Sequence, residues 1–112
     1  MRKIHIVVST IGKAAEAEEM AKHCVEKGLS ACVQYFPIGS VYRWKNKLEK
    51  SKEILMIFKT SSSKRNLLMK EIKKMHVYEL PEIISLTVAG SSEEYLRWIL
   101  AETKQEKKMK KR

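Results

Sequence analysis

Apolar positions along the chain change period several times, and each change marks an element. Ile4-His5-Ile6-Val7-Val8-Ser9 alternates at period two, with Ile4, Ile6 and Val8 on one face and His5, Val7 and Ser9 on the other. Both faces are largely apolar, which predicts a strand central in its sheet. From Gly12 to about Lys27 the period becomes helical. Ala14, Ala17, Met20, Ala21, Cys24 and Val25 form one stripe, and Gly28 stands where a left-handed residue closes a helix. Ala31 to Trp44 reads as a long strand, and Phe36-Pro37-Ile38-Gly39 inside it marks a bulge or a sheet edge. Beyond that point Ser40, Tyr42 and Trp44 share a face. Lys45-Asn46-Lys47 is a turn in which Asn46 best tolerates positive φ, and Leu48 to Thr60 returns as a second long strand. Ser61-Ser62-Ser63 is placed to cap a helix striped by Leu67, Leu68, Ile72 and Met75. Pro81 ends that helix by about Tyr78, and a strand follows from Glu82 to Val88. Ser91-Ser92-Glu93-Glu94 resembles a capping box, opening a last helix that packs through Tyr95, Leu96, Ile99 and Leu100 to near Thr103.

The order β-α-β-β-α-β-α is the split βαβ plan. It predicts an α+β domain with an antiparallel four-stranded sheet, two helices on one face and a third helix added at the end. The two long strands exceed the usual five or six residues. A hairpin that long overhangs a small domain, and the economical cover for its edges and aromatic tip is another copy of the chain.

Composition refines this picture without changing it. The 112 residues suit one domain, able to bury roughly 65% of its unfolded surface. Residues 1–103 are read as that domain and 104–112 as a basic, disordered tail. The formal net charge is +10, and Lys104, Lys107, Lys108, Lys110, Lys111 and Arg112 against Glu106 place about half of it in the tail. No apolar run spans a bilayer and the start lacks a signal-peptide pattern, so no membrane association and a cytoplasmic location are expected. Cys24 and Cys32 have no zinc spacing and are expected as free thiols used as small hydrophobes. Recognition of RNA by this plan needs aromatics on the first and third strands. The first has none and the third only Phe58, so nucleic-acid contact is confined to non-specific binding by the tail.

Candidate chemistry concentrates in His76-Val77-Tyr78-Glu79-Leu80-Pro81-Glu82, where a helix hands over to a strand. His76 is the side chain best suited to a metal or a proton near neutrality. Glu79 and Glu82 either hold a cation or neutralise Lys59, and Tyr42 and Trp44 are ring anchors for an interface or a ligand. Tyr95 and Trp98 are read as packing residues. His5 is read as a satisfied or interface histidine rather than a ligand.

Five pieces in register resemble the CutA family, the divalent-cation tolerance proteins: Ala31-Cys32-Val33, Tyr42-Arg43-Trp44-Lys45, Lys59-Thr60, His76-x-Tyr78-Glu79-x-Pro81-Glu82-Ile83 and Tyr95-Leu96-x-Trp98-Ile99. The resemblance covers about residues 3 to 102. It implies a ferredoxin-like domain assembled as a homotrimer, with Tyr42, Trp44, Lys59, His76, Tyr78, Glu79 and Glu82 as the lining of inter-subunit clefts. It also implies divalent cations as partners, Cu or Zn held by His76 and Glu79 without an obligatory cofactor, and a possible signalling or ligand-sensing role. The chain departs from that pattern at Val77, where the family usually has proline, and at Asn46, where it commonly has glycine. Ser9 and Met75 stand where some members have cysteine and histidine. What remains is an imidazole with carboxylates, a nitrogen-oxygen set that suits Cu(II) or Zn(II). The alternative is a small-molecule-binding or weakly hydrolytic trimer with no metal role. Acylphosphatases share the plan, but no glycine-rich phosphate loop is present, and no serine or cysteine has a base beside it in sequence, so no enzyme is expected.

Overall fold

The computed structural model describes residues 3–104. Its elements run β1 (Ile4–Ile11), α1 (Ala14–Glu26), β2 (Cys32–Trp44), β3 (Lys47–Ser61), α2 (Arg65–Met75), β4 (Ile83–Thr87) and α3 (Glu93–Glu102). They form an α+β domain with an antiparallel four-stranded sheet in the order β2-β3-β1-β4, the ferredoxin-like split βαβ arrangement. Lys104 apart, the tail read at 104–112 lies outside the described residues.

Parity along β1 divides the sheet into two faces. Val7 and Ile11, with Met56 and Phe58 from β3, point toward α1 and α2 and pack against Ala17, Met20, Cys24, Leu68 and Ile72. Three positions of α1 and α2 differ from the expected stripes: Ala14, Val25 and Leu67 face solvent. The helices are joined by His23 Nε2 and Glu71 Oε2 at 2.5 Å. That bond, more than the cations of Lys74 and Lys27 nearby, holds the Glu71 carboxyl below its usual range against the opposing effect of burial. The other parity, with Ile6, Val8, Leu55, Ile57, Ile84 and Leu86, forms the opposite face. There α3 covers only one end, through Ile99 and Leu96 against Ile4 and Ala31. Phe36, Ile84 and Leu86 are 46%, 49% and 52% exposed, so most of an apolar sheet face is open.

Ser9 belongs to the covered face, fully buried with an Oγ that has no hydrogen-bond partner. An unpartnered buried hydroxyl costs about 1–3 kcal/mol. Ser9→Cys, which replaces it with a polarisable group that needs no partner, is therefore expected to stabilise the fold by about 1 kcal/mol, visible as a raised melting temperature.

The ribbon of β2 and β3 continues past the last β1 pair, Ile11 with Ile54, for about 23 Å. Its register is unbroken from Cys32↔Lys59 to Trp44↔Lys47, so of the bulge or edge expected at Phe36-Pro37-Ile38-Gly39 it is the edge that is found. Proline is accommodated because β2 is an edge strand, whose outer side asks for no ladder donor. The hairpin closes on two residues, Lys45 at φ 48° and Asn46 at φ 67°. That is the paired left-handed turn that matches strand twist. Lys45 as well as Asn46 takes the strained conformation.

Two helix starts differ from expectation. At α2 the N-cap is Lys64, and no side chain there bonds the first turn; Ser61 and Ser63 bond each other, and Ser62 turns toward β1. At α3 the cap is Ser92, whose Oγ accepts from Tyr95 N–H at 3.2 Å, one residue later than the capping-box reading placed it.

Candidate functional site

The ribbon's overhang forms one wall of an open groove of about 870 Å³, and the turn between α2 and β4 forms the other. Alternation on β2 puts Tyr42 and Trp44 on the same face, and the two-residue turn sets Glu49 opposite Tyr42. Glu53 lies further down that face of β3. From the facing wall come Tyr78, Glu79, Leu80 and Glu82. Five of the seven residues singled out from the sequence thus line one groove: Tyr42, Trp44, Tyr78, Glu79 and Glu82.

The other two do not. Lys59 is on the same sheet face but toward the α3 end, with its Nζ 5.8 Å from the Tyr95 ring. Within one chain it therefore neutralises neither Glu79 nor Glu82; the cation that does approach Glu79 is Lys45, at 3.9 Å. Both side chains of that pair are at least 70% exposed, so it contributes little. His76 sits just behind the groove as a latch. Its Nε2–H donates to the carbonyl of Thr10 at 2.6 Å, and its Nδ1 accepts from the backbone N–H of Tyr78 at 3.2 Å. A cation at either nitrogen would have to break one of these bonds. Among the described residues no three His, Cys, Asp or Glu side chains converge as a metal cluster.

Tyr78 is the residue the latch positions. Its ring lies 4.7 Å from the His76 ring, and its hydroxyl donates to Glu53 Oε2 at 3.2 Å. Burial first, then the Glu53 carboxylate, pushes the phenol up to about 12, so it stays a donor at any physiological pH. Sequence reasoning missed Glu49 and Glu53. The signal was available in the hairpin register, since a two-residue turn at Lys45-Asn46 places Glu49 opposite Tyr42. The result is a local reversal of charge: a basic chain carries four carboxylates, Glu49, Glu53, Glu79 and Glu82, against Arg43 and Lys45 around one groove lined by three aromatic rings.

Elsewhere, Cys24 is buried, with its thiol pushed up to about 12 chiefly by burial, and Cys32 is half-buried; both are free. Tyr95 and Trp98, expected to pack inward, stack on each other at the surface with centroids 5.5 Å apart. Among the described residues no helix is long and apolar enough to cross a membrane.

Comparison with known proteins matches residues 5–102 to the family described as CutA1 divalent ion tolerance protein. The chain is 42% identical over 84 residues to a Xenopus laevis protein named Protein CutA homolog, a stretch covering 74% of this chain and 56% of that protein. It spans about half the length of such relatives. It is similar in structure to the periplasmic divalent cation tolerance protein CutA from Archaeoglobus fulgidus, with a TM-score of 0.88, 37% identity and coverage of 90% and 99% of the two chains. An Arabidopsis thaliana relative, 34% identical over 100 residues, covering 88% of this chain and 55% of that protein, is named Protein CutA, chloroplastic. These two names correct the cytoplasmic expectation: similar chains are placed in the periplasm and the chloroplast. The lack of a signal-peptide pattern in the first residues was therefore no basis for a compartment.

Proposed function

The chain belongs to the CutA1 divalent ion tolerance family, and we propose that it works as a homotrimer that binds a divalent cation such as copper at three equivalent clefts between subunits. One observation carries this reading: the groove gathers Glu49, Glu53, Glu79 and Glu82 beside Tyr42, Trp44 and Tyr78, and remains open where a second subunit would wall it. Trimer formation is supported by the open apolar sheet face and by the ribbon that overhangs it. A sheet with one uncovered apolar face and two free edges hides both most economically against copies of itself.

The groove works by binding rather than turnover. The resemblance put His76 and Glu79 forward as ligands; with both imidazole nitrogens engaged, the reading shifts to carboxylate oxygens, Glu79 with Glu53 and Glu82, and His76 holds the wall that carries them. Oxygen donors favour harder cations and give modest affinity, in keeping with a sensing or signalling role rather than tight capture. The alternative reading, a small organic ligand, is supported by the three rings, since binding pockets are mostly apolar with a few placed polar groups.

Titration calorimetry of the full chain with Cu(II), Zn(II) and Mg(II) tests the cation. Glu53→Gln and Glu79→Gln are each expected to weaken binding about tenfold, equivalent to about 1.4 kcal/mol. Unchanged affinity in the double variant would remove the groove as the cation site and leave the organic-ligand reading.

A further inference from the structure

Ser61-Ser62-Ser63 and His5 play no part in the groove, and they meet at the opposite end of the sheet. The serine run passes beside β1 just before α2, because Ser62 N–H is held by the carbonyl of Lys3 at 3.1 Å. That places Ser62 Oγ 3.1 Å from Nε2 of His5, a residue 57 positions away in sequence. We propose that Ser62 and His5 form a nucleophile–base pair that hydrolyses small activated carboxylic esters, preferentially those with an anionic acyl group.

Four observations support it. The pair has the hydrogen-bond reach that an activated serine needs. Ser62 is half-buried, so its hydroxyl reaches solvent, whereas His5 is only 7% exposed and is fixed by the sheet. His5 Nδ1 is buried and without a partner, so no neighbour fixes the tautomer, and the form with Nε2 bare toward the hydroxyl is open to the ring. Burial, with Arg65 and Lys3 nearby, holds His5 below the ordinary histidine range, so the ring is a neutral base near pH 7. The same two cations give the preference for an anionic acyl group. The Ser62 hydroxyl has a second, longer acceptor in the Lys3 carbonyl at 3.4 Å; its single proton goes to one acceptor at a time, and Nε2 at 3.1 Å is the nearer.

In the reaction Ser62 Oγ bonds to the ester carbonyl carbon and its proton passes to His5 Nε2. Collapse of the tetrahedral adduct breaks the bond to the alcohol oxygen, which leaves with that proton, and Ser62 is acylated. A water molecule then gives a proton to Nε2 and attacks the acyl carbon, and Ser62 Oγ recovers the proton as the acid departs.

The test uses the full chain with a fluorophosphonate probe and with 4-nitrophenyl esters of acetic acid and of a dicarboxylic acid monoanion. Mass spectrometry is expected to find the phosphonyl adduct on Ser62, and ester hydrolysis should fall by about 100-fold in Ser62→Ala. Wild-type labelling should rise with pH through a single transition below the ordinary histidine pKa of about 6.5, a readout that needs no His5 variant. His5→Gln should lose labelling while circular dichroism shows a folded chain. An unlabelled Ser62 in the folded protein, labelling indifferent to pH, or hydrolysis unchanged in Ser62→Ala would each overturn the proposal. None of these results bears on the cation groove, whose residues the experiment leaves intact.

Discussion

Aspartate at Ile57 is expected to leave a folded chain that sediments as a single 13.0 kDa particle, whereas the parent is expected to sediment at three times that mass, as the proposed trimer. Ile57 lies on the face that α1 and α2 do not cover, between Val8 on β1 and Gln34 on β2. It is half-buried in the lone chain, so a carboxylate there still reaches water and the monomer fold is little strained. Inside a trimer built on this face the same carboxylate would be stripped of water. An unpaired charge in such a place costs about 3–5 kcal/mol, or two to four decades of association constant. Leu67→Asp is the control, because Leu67 is 52% exposed on α2, away from the sheet face. Sedimentation at micromolar concentration reads both variants. A trimeric Ile57→Asp would mean that the open face is not the interface and that the groove's missing wall must come from elsewhere.

Why that face was hard to see in the sequence is instructive. Alternation in β1 set Ile4, Ile6 and Val8 against His5, Val7 and Ser9, and both sets looked apolar enough for a strand central in its sheet, which β1 is. Periodicity identifies faces but not what covers them; only the position of α3, which reaches no further than Ile4 and Ala31, shows that one face is left open. Local chemistry was more legible. Gly28 takes its left-handed φ of 73° where the helix stripe ends, and Pro81 separates α2 from β4 as its missing donor requires. Long-range partners were not legible. The serines before α2 looked like a cap, yet Ser62 bonds His5 on β1 and Lys3 just before it, more than fifty residues away. Likewise Glu53 joined the candidate groove only once strand register placed it under Tyr78, and Lys59 left it for the same reason.

His76 separates the two ways the groove can hold a cation, because the imidazole and the carboxylates fail differently. His76→Ala removes the donor to the Thr10 carbonyl and the acceptor for Tyr78 N–H together. Thr10 is only 5% exposed, so its carbonyl has little access to water as a replacement. Leaving that acceptor unmet, with the ring contact to Tyr78 also gone, is expected to cost about 2–3 kcal/mol and lower the melting temperature by several degrees. His76→Gln can restore the first of these bonds, since its amide N–H₂ donates as Nε2–H does. If carboxylates hold the cation, His76→Gln recovers most of the lost stability and binds within about threefold of the parent. If the imidazole is itself a ligand, His76→Gln recovers stability while binding falls at least a hundredfold, because an amide is a poor substitute for imidazole toward Cu(II). Melting and titration on the same two variants therefore decide whether the sequence's most conspicuous histidine grips the cation or grips the wall. The bonds on both of its nitrogens favour the wall.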